Sequence, residues 1–251
     1  MTRRHLCIAL LVVLTLGVTA LAQEDALDAE SVLERVNAAW QGDSFHGIMS
    51  LDIVLGGQTK SHKLEVWTLG EEMALIRVLE PEIDRNSGYL QLGDELWYYS
   101  PAVGSIKLPA VALGDALFGA GPSLEDLSHG TLSDDYDATV EIIESNGVSQ
   151  YFLTLIPHPD APVVYGRLEI WVSTDYVMER LVYYDQREAV VQTAVFTDIV
   201  EIGDRKFATT ITIEDSYGDQ TVQRIETPQF DLDLDALFFS LETFEAWGED
   251  G

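Results

Sequence analysis

The chain has 251 residues, 47% of them hydrophobic and 10% aromatic, with 14 Lys and Arg against 43 Asp and Glu, a formal charge of −29. So acidic a molecule excludes nucleic acid and anionic lipid surfaces as electrostatic partners. The one cysteine, Cys7, sits in the opening apolar run, which excludes disulfides, a thiol nucleophile and Cys-ligated metals from whatever follows that run.

The chain opens MTRRHLCIALLVVLTLGVTALAQED, with Arg3 and Arg4, an apolar run from Leu6 to Val18, and Ala20-Leu21-Ala22. A basic start, a short apolar core and an A-x-A end predict a secretory signal peptide over residues 1–22, cleaved after Ala22. Position 23 is Gln rather than the cysteine that a bacterial lipid anchor needs, so a soluble, secreted product is expected. Removing Arg3 and Arg4 leaves 12 basic residues against 43 acidic ones, a formal −31. No linker-like composition breaks residues 23–251, which predicts a single domain. The acids are scattered and only four lysines occur (Lys60, Lys63, Lys107, Lys206), a pattern that fits a salty medium or a basic partner.

After the signal, DALDAESVLERVNAAW reads as an amphipathic helix capped by Asp28, with Val32, Leu33, Val36, Ala39 and Trp40 on one stripe and Gly42 as its stop. From Phe45 the period becomes two. Phe45, Met49, Leu51, Ile53 and Leu55 take one face of a strand, and His46, Ser50 and Asp52 the other. A turn at Gly56–Gln58 returns the chain through KLEVWTL to MALIRVLEP, and SGYLQL and ELWYYSP form another hairpin about Gly93-Asp94. In ELWYYSP both faces carry bulky apolar groups, which a half-wet strand would not need. Between Pro109 and Gly130 the spacing turns helix-like, predicting a short helical insert of the kind that serves as a lid. Strands then resume as YDATVEIIE, SQYFLTLIP, VVYGRLEIWVS, YVMERLVYYD, AVVQTAVFTDIV, KFATTITIED and DQTVQRIETPQF. The total is about eleven or twelve strands in sequential hairpins, an antiparallel meander too large to stay flat. A curled sheet has a concave face, and two short helical pieces need not fill it completely.

Catalytic signals are lacking. There is no G-x-S-x-G elbow, no H-E-x-x-H and no Gly-rich phosphate loop. His46, His62, His129 and His158 lack ligand spacing and read as surface or turn histidines. Asp134, Asp135 and Asp137 cluster without the glycine and spacing of a calcium loop and read as a solvated turn. Arg77, in MALIRVLEP, either snorkels to a sheet rim or faces the bowl toward a lid carbonyl or a lipid ester or phosphate.

ELWYYSP together with Arg77 and the insert resembles the periplasmic outer-membrane lipoprotein-sorting proteins, the LolA/LolB-like superfamily. LIRVLEP, GYLQLGDELWYYSPAVGSIKLP, LFGAGPSLEDL, PVVYGRLEIWV, ERLVYYD, FATTITIED, TVQRIE and LDALFF carry the likeness in order from about Phe45 to Phe239. The resemblance implies a mainly β (α+β) fold: a large curled antiparallel sheet forming an incomplete β-barrel, with an N-terminal helix and a helical insert on its open side. It implies a periplasmic carrier that is not an enzyme, needs no cofactor or metal, and holds acyl chains of a lipid or lipoprotein in an apolar cavity. An inner-membrane transporter and an outer-membrane acceptor would be its partners, and a monomer is expected. Cavity candidates are Met49, Leu51, Ile53, Leu75, Trp97, Tyr99, Ile170, Val195, Phe207, Ile211 and Ile213, with Leu113, Leu117 and Phe118 as lid and Arg77 as a polar contact. After ELWYYSP this chain has one basic residue, Lys107, where the resemblance implies several. The alternative reading is a periplasmic module that senses lipid or lipoprotein, or serves a transporter as an accessory.

Overall fold

In a computed structural model the chain is described at residues 28–109, 112, 117–118, 135–145, 147–159, 161 and 163–249. The signal peptide, Leu113, His129 and Asp134 lie outside the described residues, as does most of the insert.

Helix α1 spans Ala29–Gln41. The Asp28 carboxylate accepts from the Ser31 amide at 3.2 Å, satisfying one of the donors left open at a helix start. Val32, Leu33 and Val36 are buried along one stripe, and Gly42 ends the helix at φ 63°. A β-carbon at Gly42 would stand 2.5 Å from the Asp231 carboxylate oxygen, so space and backbone both require glycine there.

The strands follow as β1 (Ser44–Leu55), β2 (Gln58–Leu69), β3 (Met73–Glu80), β4 (Gly88–Leu92), β5 (Glu95–Ser100) and β6 (Gly104–Leu108). After the insert come β7 (Tyr136–Ser145), β8 (Val148–Pro157), β9 (Arg167–Ser173), β10 (Met178–Tyr184), β11 (Val190–Ile202), β12 (Arg205–Asp215), β13 (Gln220–Ile225) and β14 (Gln229–Phe230). Among the described residues they form one antiparallel sheet in the order β6-β5-β4-β3-β2-β1-β13-β12-β11-β10-β9-β8-β7, with β14 pairing the start of β1. The β1–β13 and β1–β14 ladders are the long-range joins, and sequential antiparallel neighbours supply the rest. Strands β6 and β7 stand at the two ends, so the sheet is curled but not closed into a barrel. This is the expected fold class, with 14 strands where about eleven or twelve are legible. GSIKL is a strand of its own, and TVQRIETPQF divides into β13 and β14.

One element is new. Helix α2, Leu241–Glu249, follows a single 3-10 turn at Ala236–Phe238. The Ser240 hydroxyl accepts from the Thr243 amide at 3.2 Å and starts it. Residues 234–247 lie on one face of β2–β5, where Leu75, Leu90, Tyr99, Phe239 and Phe244 form a core of their own. Here the two apolar faces of ELWYYSP find their reason. Leu96 faces the core that contains Met49, Leu51 and Ile53, while Trp97 and Tyr99 face α2. Gly88 makes the close packing possible, because a β-carbon there would fall 1.8 Å from the Ile76 carbonyl oxygen and 3.1 Å from the Phe244 ring.

Candidate functional site: the concave face under the N-terminal helix

Trp40, near the end of α1, packs against two clusters at once, one from β1–β5, β12 and β13 and one from β7–β12. A side chain that touches both halves of the sheet lies inside its curl, so the α1 side is the concave face. The indole stacks on Phe207 at 4.8 Å and meets Phe196 edge-on at 5.8 Å. Such aromatic pairs add about 0.5–1.5 kcal/mol each beyond their burial.

The helix end is fastened by three groups. Arg205 donates to the carbonyls of Ala38 and Ala39, the latter at 3.0 Å, and pairs with Asp231 at 3.0 Å. Asp231 also accepts from the Asp43 amide at 2.9 Å. The guanidinium joins the Gly42 amide, which donates to the Ala38 carbonyl at 3.4 Å, in serving the last carbonyls of the helix, and it offsets the negative end of the dipole.

The predicted cavity residues divide between the faces. Met49, Leu51, Ile53 and Phe207 share one concave cluster; Ile170 and Ile211 belong to the other, with Ile213 packed against it. Leu51, Ile53 and Ile170 are at most 1% exposed, so no space open to solvent touches them. Leu75, Trp97 and Tyr99 are corrected to the opposite face, under α2, because one-residue offsets in a strand reverse the side. Val195 also points away and is 39% exposed, while its neighbours Ala194 and Phe196 turn inward. Arg77 does not face the bowl. It donates to the Asn86 side-chain oxygen at 3.0 and 2.7 Å and lies over Trp247 at 5.0 Å, on the α2 side.

Of the lid residues, Leu117 and Phe118 pack against the concave cluster. The Tyr89 hydroxyl donates to the Leu117 carbonyl at 3.0 Å, and burial pushes that phenol up to about 12. The Phe118 ring stacks on His62 at 3.9 Å. His62 is therefore no surface histidine: its Nδ1 is buried with no hydrogen-bond partner among the described residues, and burial lowers its pKa from 6.5. Asp84 opposes that shift and Lys60 reinforces it. A base whose pKa is depressed on folding binds fewer protons folded than unfolded, so its contribution is complete above about 6.5 and is lost on acidification. Melting temperatures at pH 7.5 and 5.5 are expected to fall less on acidification in His62→Phe than in the parent. An equal fall in both proteins counts against this role for His62.

His46 is also half-buried, against the expectation of a surface residue. It stacks on Trp67 at 4.9 Å, with Glu65 at 3.1 Å and Gln229 at 3.0 Å from its ring nitrogens. Trp67 stacks in turn on Trp247 at 5.3 Å, so this column pins α2 to the sheet's outer side. His158 lies 3.3 Å from Asp137 in an exposed turn. No group of three or more His, Cys, Asp or Glu that could hold a metal ion is found among the described residues. Lys107 is engaged with Glu95 at 2.5 Å and lies 5.6 Å above the Trp97 ring.

Sequence reading missed Trp40 as the plug of the bowl, although it placed that residue on the helix stripe. It also missed Phe244 and Trp247, whose three-residue spacing after Ser240 was the available signal.

A family model described as "Uncharacterized protein" matches residues 70–246. No curated protein matches the sequence. Among solved structures, a LolA superfamily protein from Nitrosomonas europaea is 21% identical over 86% of this chain and 98% of its own, with a TM-score of 0.72. A domain assigned to outer-membrane lipoprotein sorting from Vibrio parahaemolyticus is 16% identical over 86% and 98%, with a TM-score of 0.74. A DUF1329 family protein from Desulfovibrio piger is 19% identical over 85% and 96%, with a TM-score of 0.75. The chain belongs to the family that the "Uncharacterized protein" model defines, and its fold is that of the LolA superfamily and of outer-membrane lipoprotein-sorting domains.

Proposed function

We propose that this protein is a soluble periplasmic carrier that binds the acyl chains of a lipid or lipoprotein on its concave face and moves them between the inner and outer membranes. The observation that carries the reading is an apolar concave face of two clusters, covered among the described residues by α1 and by Leu117 and Phe118, with the Trp40 indole wedged between the two halves of the sheet. The fold shared with lipoprotein-sorting domains supports it. No helix among the described residues is long and apolar enough to cross a membrane.

Trp40, Leu117 and Phe118 pack over the concave face, so cargo enters by displacing their contacts. Burial of about twelve CH₂ groups at roughly 0.8 kcal/mol each yields on the order of 10 kcal/mol. That is ample to replace an aromatic contact or two, and it leaves transfer to be biased by an upstream donor and a downstream acceptor. Catalysis is not part of this reading. The closest His–acid pair on the sheet, His46 with Glu65, lies on the α2 side, away from the concave face.

The test is mass spectrometry of organic extracts from the protein secreted in a bacterium and purified without detergent. Phospholipid or acylated peptide at near one equivalent is the expected result. A ligand-free protein that also fails to take up a fluorescent fatty acid overturns the carrier reading and favours a partner-binding module.

A further inference from the structure

The strand connections fall on two rims, one at each end of the strands. The first rim carries the turns after β2, β4, β7, β9 and β11, and the second those after β1, β3, β5, β8, β10 and β12. Turns favour glycine and small polar residues. The first rim conforms: Glu71, Glu72, Asp94, Asp175 and Asp204 are exposed on its turns, and no large apolar residue is exposed on them among the described residues. On the second rim Val103 after β5, Ile83 after β3, Tyr217 after β12 and Val164 after β8 stand out, 66%, 91%, 91% and 75% exposed. The exposed apolar residues nearer the first rim, such as Val148 and Val200, sit within strands instead.

At about 4.8 Å per strand, these four tips follow one another at roughly 10, 20 and 20 Å along the sheet. They form no contiguous patch of the kind that a protein interface packs at its centre. A lipid interface makes no such demand, because it takes up apolar side chains singly, in proportion to the area each buries. The tips are held out by their own loops. The Asp215 carboxylate accepts from the Tyr217 and Asp219 amides at 2.8 and 3.0 Å, and the Asp219 carboxylate from the Gly56 amide at 2.8 Å. Beside Ile83, Glu82 pairs with Arg85 at 2.6 Å. Asp185 accepts from the Arg187 and Ala189 amides, and Glu188 pairs with Arg167 at 2.9 Å. Several acids of this rim are thus engaged locally, with Lys60 and Arg187 exposed among them. On the first rim Glu71, Glu72, Asp94 and Asp204 have no ion pair among the described residues. A formal charge of −29 still disfavours anionic lipid, so the surface that fits is zwitterionic.

We propose that the second rim is the surface by which the protein meets a zwitterionic phospholipid bilayer, with Ile83, Val103, Tyr217 and Val164 dipping into the lipid interface. The first rim, with its unpaired acids, then faces away. The concave face suits this docking. Phe118 stacks on His62, near the start of β2, and the Leu117 carbonyl is held by Tyr89, near the start of β4. Both strands start at the second rim, so these contacts, which yield to cargo, lie on the lipid side. Trp40, stacked on Phe207 near the start of β12, closes the face toward the first rim. The proposal rests on the carrier reading for what crosses, and adds where the lipid surface is met.

Flotation of the secreted protein with dioleoylphosphatidylcholine vesicles tests the rim. The parent is expected to rise with the vesicles, and the double variant Ile83→Ser/Tyr217→Ser to partition about tenfold more weakly. Val148→Ser, near the first rim, should match the parent. All three sites are exposed, and unchanged melting temperatures show that the variants fold. Failure of the parent to float overturns the proposal and leaves a protein acceptor as the partner of this rim. Binding that the double variant retains, or that Val148→Ser loses equally, overturns it as well. Uptake of a fluorescent fatty acid separates the two readings. Uptake without flotation removes the rim proposal alone; flotation without uptake removes the carrier reading and leaves the rim as a membrane contact.

Discussion

Phe244→Ala is expected to destabilise the fold by about 3–5 kcal/mol, lowering the melting temperature by roughly 10 °C or more. The ring is completely buried, 5.2 Å from Tyr99 and 6.1 Å from Trp247. Collapse around the deleted ring is hindered on the sheet side, where Gly88 already brings the backbone to its limit of approach. Loss of this anchor also loosens the Trp247 contacts with Trp67 and Arg77, so near-ultraviolet dichroism should change together with stability. Leu237→Ala, at a residue 81% exposed on the same segment, is the control and should change neither. A loss below 1 kcal/mol at Phe244 would mean that α2 does not hold the outer face in solution.

Raising sodium chloride from about 0.05 M to 1 M is expected to stabilise the protein by roughly 5–10 °C, as the screening length shrinks to about 3 Å. Two effects oppose each other. Salt weakens surface ion pairs such as Lys63–Glu226 at 2.8 Å and Arg224–Asp52 at 2.7 Å, but exposed pairs contribute little each. With 43 acids against 14 basic residues, most carboxylates have no basic partner, and relief of their mutual repulsion wins. Each kcal/mol so gained moves the melting temperature by about 2–4 °C at this chain length. Potassium chloride should act equally at equal ionic strength. A melting temperature that is flat or falling in both salts would show that the paired charges, not the excess acids, dominate.

Legibility followed pattern. The alternation of Phe45 to Leu55 and the capped stripe from Asp28 to Trp40 are unambiguous, and both elements appear where the periods place them. Strand β6 is five residues at the sheet's end with Ile106 exposed, too short and too wet to carry a period. Helix α2 is short and acidic, so Phe244 and Trp247 look like part of a polar tail until the apolar face of β2–β5 is seen to need a cover. The site was harder than the fold. Alternation separates Leu75 from Ile76 and Trp97 from Tyr98, but when both sides of a strand are apolar it cannot say which side is concave. Val195 shows the same limit: in QTAVF the small Ala194 and the Phe196 ring turn inward, and the β-branched residue between them meets solvent. The fastening of α1 was illegible altogether, since Arg205 and Asp231 lie far along the chain from Ala38 and Ala39 and meet them only through the packing of α1 on β12.

The two unjoined strands at either end of the sheet bear on girth. In a closed barrel, strand number and stagger fix the radius, so the interior has one size. A sheet whose first and last ladders end at β6 and β7 is under no such constraint, because each hairpin can alter its coil by a few degrees without breaking a hydrogen bond. Its girth is left free in the way that a split ring's is, with any strain shared among a dozen ladders.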